Sequence, residues 1–253
     1  MSKLPKGYNF IDLSDYGRPF ARIIANYLKD TSFTPIHVTI WFVISGLIAI
    51  YCIISNHLWL AAFFLLLKSI LDAADGELAR LKNTPSYTGR YLDSVSDIIL
   101  NFLIFLAIWY TTDILLIYAF LAFIGIQLQG TLYNYYYVIL RNNLNGDTTS
   151  RVFEHKTPIA LAGESQKNVN LLFALYKFFY GVFDKIIYFL DNNAYKSKRF
   201  PKLFMSLLSI FGLGFQLLII SLLLVLGYKD IIFYFFIWFT LLIPIFIVFR
   251  KLM

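Results

Sequence analysis

Residues 72–97 read DAADGELARLKNTPSYTGRYLDSVSD and lie between two apolar segments. The segment before them is Leu58–Ala74, and the segment that begins inside them is Leu92–Thr111. Each is close to the roughly 20 apolar residues that a helix needs to cross a bilayer. This pattern predicts a helical hairpin with a polar connector, in which each helix end carries two aspartates. The four aspartates are Asp72, Asp75, Asp93 and Asp97.

The whole chain is too apolar for a soluble domain. Of its 253 residues, 59% are hydrophobic and only 15% are charged, whereas soluble domains carry about 25% charged residues. This composition excludes a soluble enzyme and a nucleic-acid-binding domain. It predicts an all-α integral membrane protein with six transmembrane helices. The predicted spans are Val38–Ser55, Leu58–Ala74, Leu92–Thr111, Ile114–Leu140, Leu203–Leu226 and Asp230–Phe249.

The basic residues predict the orientation of these spans. The chain has 22 lysines and arginines against 15 acidic residues, and all but two of the basic residues fall on one side of the predicted bilayer. The two exceptions are Lys229 on the other side and Lys68 inside the second span. Because cytoplasmic loops are enriched in basic residues, we expect both termini and the active site to be cytoplasmic. The expected location is the inner membrane of a bacterial cell.

Two segments are predicted to lie on the membrane surface. Residues 1–37 form a cytoplasmic N-terminus in which apolar residues after Pro19 recur at helical spacing, as in an interfacial amphipathic helix. Leu171–Leu190 is apolar, but three charged residues interrupt it, so it is also assigned to the interface. Residues 38–253 form the six-helix domain, with a basic cytoplasmic loop at 141–202.

The four aspartates are costly at their predicted depth. A charge at the centre of a membrane helix costs about 2.5–3.5 kcal/mol on insertion scales, and clustered carboxylates repel one another. A single aspartate at a helix end is usually a cap or half of an ion pair, but four at these spacings favour a cation site. Two divalent ions would balance their charge, and oxygen-only ligands favour Mg²⁺, Mn²⁺ or Ca²⁺ over zinc. Gly76 and Gly89 would let a phosphate approach the helices, and Arg80 is a suitable phosphate partner.

The spacing of these residues resembles a known signature. The pattern D-x2-D-G-x2-A-R-x8-G-x3-D-x3-D belongs to the CDP-alcohol phosphotransferase family, and the chain fills every position of it. In that family, the substituted phosphoryl group of a CDP-alcohol passes to the hydroxyl of an acceptor alcohol and CMP is released. The resemblance therefore implies an integral membrane enzyme of phospholipid biosynthesis, with a CDP-alcohol donor, an alcohol acceptor and no nucleic-acid partner. It also implies a homodimer.

The resemblance assigns roles to the signature residues. It implies that two divalent metal ions, Mg²⁺ or Mn²⁺, are held by carboxylates and that Asp97 is also the general base for the acceptor hydroxyl. The implied metal ligands are Asp72, Asp75, Asp93 and Asp97. The implied CDP pocket consists of Gly76, Ala79, Arg80 and Gly89. One departure concerns the motif Pro-Asn-x-x-Thr of many relatives, in which Ile36 replaces the asparagine.

Several polar residues outside the signature have two interpretations. On the fourth span a polar stripe leads to Arg141, and it is predicted either to line the acceptor cavity or to make interhelical hydrogen bonds. Asn101, one turn after Asp97, has the same two interpretations. Lys68 is expected either to pair with Asp72 or to snorkel to the interface, and the ion pair is favoured. The stripe consists of Gln127, Thr131 and Asn134.

The sequence leaves alternatives for the identity of the donor and of the acceptor. CDP-diacylglycerol with a small polar acceptor is favoured, and transfer from CDP-ethanolamine or CDP-choline to a lipid hydroxyl is the alternative. A non-enzymatic membrane protein that binds divalent cations is a further alternative. Two roles are predicted for Arg151, His155 and Lys156. They either bind a phosphorylated acceptor or only set the membrane orientation of the chain and attract anionic lipids. Four tyrosines, Tyr133 and Tyr135 to Tyr137, are predicted to form an interfacial aromatic belt.

Overall fold

The computed structural model describes residues 4–5, 7–144, 154, 156–197 and 200–253. The chain is 77% helix, and the described residues include no β-strand, which confirms the all-α prediction. The α-helices are α1 Arg18–Leu28, α2 Pro35–Ile54, α3 Leu58–Leu81, α4 Tyr87–Tyr110, α5 Leu116–Asn143, α6 Gln166–Leu190, α7 Lys202–Leu208, α8 Leu213–Val225, α9 Lys229–Phe239 and α10 Leu242–Leu252. Short 3₁₀ turns at Leu13–Asp15, Ala194–Lys196 and Ser209–Phe211 complete the helical structure.

Local sequence signals define the ends of α3 and α4 near the aspartates. Helix α3 ends before Asn83, which has a left-handed φ of 51°, a conformation that asparagine tolerates. Helix α4 begins after Ser86, whose hydroxyl accepts a hydrogen bond of 2.8 Å from the Gly89 amide. This N-cap satisfies one of the amides that a helix start leaves free. The end of the bundle that carries this α3–α4 connector is called the connector end below.

The prediction of six spans is confirmed in part. By length and composition, α2, α4 and α5 can each cross a membrane, and so can Lys229–Leu252, which contains α9 and α10. A fifth span results if Lys202–Phe211 and Leu213–Val225, which meet at an angle of 49°, are counted together. Helix α3 covers the predicted second span but does not meet this test, because polar and charged residues occupy its last three turns. The chain is therefore an apolar helical membrane protein with at least four suitable helices among the described residues.

The predicted span Leu203–Leu226 is not one straight helix. The segment bends at Gly212, where the N-terminal residues of the chain pack against it. A side chain at Gly214 would begin only 1.9 Å from the carbonyl oxygen of Ser14, and the Leu13 amide donates a 2.8 Å hydrogen bond to the Ser209 hydroxyl. The glycines at this bend thus allow the N-terminal segment to pack directly against the helix backbone.

Helix α1 occupies the position predicted for the N-terminal amphipathic helix. Its Ala21 and Ala25 are buried against α3, while Phe20, Ile23 and Tyr27 are exposed. A salt bridge joins its first residue, Arg18, to Glu77 near the end of α3. The helix therefore has one face attached to the bundle and one apolar face left exposed.

Helix α6 packs across α4 and α5 at the connector end. Its Phe173 contacts Tyr91 of α4 edge to face, with ring centroids 5.5 Å apart. At its other end, Asp191 accepts a 2.6 Å hydrogen bond from the Tyr136 hydroxyl and a 2.7 Å hydrogen bond from Arg250 Nε. Helix α6 is not one of the helices that meet the test for a span.

The prediction of an aromatic belt on α5 is wrong. Tyr133, Tyr135, Tyr136 and Tyr137 are all buried inside the protein. Their side chains turn inward because polar partners lie there: the Tyr133 hydroxyl donates to Asp12 at 2.5 Å, and Tyr136 donates to Asp191. The four rings therefore form part of the core at the connector end.

Candidate active site and metal centre

A cavity of about 1100 Å³ lies between the connector ends of α3 and α4. Both helices pack against α2, and α5, α6, α8 and the N-terminal segment supply the remaining walls. All four aspartates of residues 72–97 line this cavity. The four carboxylates, which come from two helices, therefore line one cavity, as the sequence predicts.

Three of the four carboxylates form a compact group. One oxygen from each of Asp72, Asp75 and Asp93 lies within 4.8 Å of the others, which suits ligation of a metal ion. Oδ1 of Asp93 is buried and has no hydrogen-bond partner within the part of the chain that the structure describes, so it is available as a ligand. The Thr39 hydroxyl donates a 2.7 Å hydrogen bond to Oδ2 of Asp75. Thr39 thereby fixes the orientation of one carboxylate of the group.

Asp97 stands slightly apart and pairs with Lys68. Lys68 Nζ lies 2.5 Å from Asp97 Oδ1, and the lysine side chain is 0% exposed. The expected pairing of Lys68 with Asp72 is therefore wrong. Although Lys68 and Asp72 are one turn apart on α3, the ammonium group reaches across to α4. Lys68 donates to Oδ1 of Asp97, and Asp97 lines the cavity, so its second carboxylate oxygen can meet a ligand there.

The residues assigned to the CDP pocket line the same cavity. A Cβ atom at Gly76 would lie 3.5 Å from Nη1 of Arg80, so the glycine leaves open the space beside the guanidinium group. Arg80 also lies 3.5 Å from Glu77, and its Nε is buried without a partner. The guanidinium group thus has unused donors next to the carboxylate cluster, which suits a phosphate ligand. The pocket residues on the cavity wall are Gly76, Ala79, Arg80 and Gly89.

The substitution of Ile36 for asparagine changes the wall near Gly89. A Cβ atom at Gly89 would lie 3.8 Å from Cγ1 of Ile36, so the apolar side chain at position 36 lies beside this glycine. Thr39, the last residue of the same motif, keeps a polar role through its bond to Asp75.

Residues 23–183 match the model of the CDP-alcohol phosphatidyltransferase family, and they make up more than half of the chain. The chain belongs to this family. It is therefore a transferase of phosphate-containing groups, and the family uses divalent metal ions, a CDP-alcohol donor and an alcohol acceptor. No individual curated protein matches the chain.

The polar residues on α5 face the cavity of this transferase. Gln127, Thr131, Asn134 and Arg141 all line it, and so does Asn101 of α4. Another α5 residue, Gln129, makes interhelical hydrogen bonds: it donates to Thr240 Oγ1 at 2.9 Å and to the Phe236 carbonyl. Of the two interpretations, the structure therefore favours the cavity wall.

The wall formed by α6 was not anticipated. Tyr176, Tyr180 and Asp184, spaced one turn apart, line the cavity, and the Tyr180 hydroxyl donates to the Ser94 carbonyl at 3.1 Å. Burial and the nearby Glu154 carboxylate raise the pKa of Asp184, and the positive charges of Lys177 and Arg90 offset part of this increase. The resulting pKa is about 6. The spacing of these three residues along one helix face was the available sequence signal.

Of the three basic-loop residues considered for acceptor binding, the structure describes only Lys156. Arg151 and His155 lie outside the described residues, and Lys156 is exposed and is not on the cavity wall. Among the described residues, Arg90 lines the cavity as well as Arg80 and Arg141, and it also pairs with Glu154. Tyr91 donates a 2.5 Å hydrogen bond to the same glutamate, so Glu154 ties the loop to the start of α4.

Proposed function

We propose that this transferase moves a substituted phosphoryl group from a CDP-alcohol to the hydroxyl of a small polar acceptor and releases CMP. The observation that carries the proposal is the convergence of four aspartates, Gly76 and Arg80 on one cavity. CDP-diacylglycerol is the favoured donor, because the cavity wall beyond the aspartates is polar and suits a polar acceptor better than a lipid hydroxyl.

Two divalent ions, Mg²⁺ or Mn²⁺, fit the chemistry of this donor set. Asp72, Asp75 and Asp93 would hold one ion, since their oxygens already lie within 4.8 Å of one another. Asp97 together with the donor phosphates would complete the second site. When bound, such ions neutralise phosphate charge and stabilise the charge that develops during in-line displacement.

Asp97 is the proposed general base. Its Oδ1 is held by Lys68, which orients the carboxylate and leaves Oδ2 to accept the proton of the acceptor hydroxyl. The acceptor oxygen then forms a bond to the β-phosphorus as the bond from this phosphorus to the CMP oxygen breaks. Arg80 binds the donor phosphates, and Gly76 and Gly89 allow the nucleotide to approach both helix backbones.

The topology that accompanies this proposal has six spans. Helix α3 is then counted as a span in addition to the five suitable segments. Its polar residues are tolerated because they face the cavity and not lipid. Both termini and the connector end are then cytoplasmic, where CDP-alcohols and soluble acceptors are available. The homodimer and the bacterial inner membrane stay predictions from family resemblance and from composition.

The test is CMP release by the purified full-length protein in detergent. We expect release from a CDP-alcohol to require Mg²⁺ or Mn²⁺ and to be lost in Asp97→Asn, while the matched variant Asp113→Asn, exposed in the α4–α5 connector, keeps wild-type activity. Release that survives Asp97→Asn or EDTA would refute the mechanism. Crossing CDP-diacylglycerol, CDP-ethanolamine and CDP-choline with polar and lipid acceptors identifies the donor class.

A further inference from the structure

The cavity has an uncharged polar end beyond Asp97. Asn101 follows Asp97 by one helical turn, about 6 Å along α4, and Gln127 and Thr131 face the same end from α5. The arginines that line the cavity among the described residues, Arg80, Arg90 and Arg141, lie on the opposite side, near the connector ends of their helices. The cavity is thus divided by the aspartates into a charged mouth and a neutral end.

One atom in the neutral end lacks a partner. Asn101 is 5% exposed, and among the described residues its buried Oδ1 has no hydrogen-bond partner. Leaving such an acceptor unpaired costs about 1–3 kcal/mol, so native proteins rarely tolerate it without a reason. A nearby amide shows the contrast: Gln129, two residues from Gln127, is fully engaged with Thr240, Phe236 and Gln216.

We infer that this neutral end is the acceptor subsite, in which the Asn101 oxygen accepts a hydrogen bond from a second hydroxyl of the acceptor. The inference rests on the proposed function, since it places the reacting hydroxyl at Asp97. An acceptor that reaches from Asp97 to Asn101 needs two hydroxyl groups a few ångströms apart. Gln127 and Thr131 supply further uncharged donors and acceptors along that path.

The chemistry of this end selects uncharged polyols over anionic acceptors. The one cation beside it among the described residues is Lys68, and its ammonium group is already paired with Asp97. A phosphate or carboxylate on the acceptor would therefore be buried without a counter-ion, which is strongly unfavourable. A lipid hydroxyl with acyl chains would instead place apolar groups against three polar side chains.

The test compares acceptors in the CMP-release assay with CDP-diacylglycerol as donor. We expect glycerol or inositol to give a higher kcat/KM than glycerol phosphate or diacylglycerol. Asn101→Ala should raise the KM of the polyol roughly fivefold, which matches the loss of one hydrogen bond, and leave the KM of the donor unchanged. Thr131→Val is a second variant, in which the side-chain volume is nearly unchanged. It should likewise raise the KM of the polyol and leave the KM of the donor unchanged.

The control is Asn170→Ala, because Asn170 is exposed on α6 and bonds only to Gln166; it should change neither KM. An unchanged polyol KM in both Asn101→Ala and Thr131→Val would overturn the subsite, as would preference for an anionic or lipid acceptor. Both outcomes are compatible with CMP release that depends on Asp97. Release that does not depend on Asp97 refutes the proposed function instead, so the two failures are distinguishable.

Discussion

Replacement of Lys68 by methionine is expected to destabilise the protein mainly when divalent cations are absent. Lys68 is 0% exposed, and its ammonium group lies 2.5 Å from Asp97 Oδ1 and 5.0 Å from the centroid of the Phe42 ring. Methionine keeps the length and apolar contacts of the side chain but removes its charge. The Asp97 carboxylate is then left buried, close to three other carboxylates and without its cation.

The expected loss follows from the burial of the pair. Removing one partner of a buried ion pair costs about 3–5 kcal/mol, which for a chain of this size corresponds to a fall in Tm on the order of 10 °C. Bound Mg²⁺ places positive charge beside the same carboxylates. We therefore expect less than about half of the loss when Mg²⁺ is saturating, because the metal then replaces the lysine as counter-ion.

The assay is thermal unfolding in detergent, with EDTA and with saturating Mg²⁺. The double variant Lys68→Met with Asp97→Asn removes both charges and should recover most of the stability in EDTA, as a double-mutant cycle requires for a direct interaction. Lys229→Met is the matched control, because Lys229 is only partly buried and, among the described residues, its side chain makes one long hydrogen bond, to Asn56 at 3.3 Å.

Two results would refute this reasoning. The first is an equal loss of Tm in EDTA and in Mg²⁺, which would mean that Asp97 does not share charge with the metal site. The second is a double variant as unstable as Lys68→Met alone, which would mean that the lysine stabilises the protein through packing and not through Asp97.

Three other residues give separate predictions. Thr39→Val should raise the Mg²⁺ concentration needed for half-maximal CMP release about 10-fold or more, because Asp75 loses its orienting hydrogen bond; unchanged Mg²⁺ dependence would argue against that role. Arg250→Met should lower the free energy of unfolding by about 3–5 kcal/mol, since buried Asp191 loses its cation, and Arg250→Lys should restore part of it; a Tm equal to wild type would contradict this. Burial raises the pKa of Glu164, but hydrogen bonds from Ser86, Thr88 and Leu161 outweigh it and hold that pKa below its usual value. The wild type should therefore be more stable than Glu164→Gln at neutral pH, and the difference should close as pH falls below about 4; a difference that widens on acidification would exclude this cause.

The signature residues were predictable because their spacing acts within single helices. Asp72 and Asp75 share a face of α3 at i, i+3, and Asp93 and Asp97 share a face of α4 at i, i+4. A short connector leaves the two helix ends close together, so one cavity wall follows from periodicity and connector length. The same local logic predicted that Asn101 would extend this face.

Contacts between distant segments were not predictable in this way. Lys68 was assigned to Asp72 on its own helix, but its long side chain reaches Asp97 on α4. The sequence pattern predicts a lipid interface for the tyrosines of α5, but Asp12 and Asp191, both more than 50 residues away along the chain, provide polar partners inside the bundle. The role of α6 as a cavity wall likewise depends on where 25 residues of helix pack.

The sequence by itself determined the apolar helical class, the hairpin with its four aspartates and the family, because composition and local periodicity are properties of neighbouring residues. The tertiary structure alone decided which charges pair, which polar side chains lack a partner and which helices close the cavity. These outcomes depend on the distance between side chains far apart in the chain. In a membrane protein that distance decides whether a buried charge meets a counter-ion, a ligand or neither.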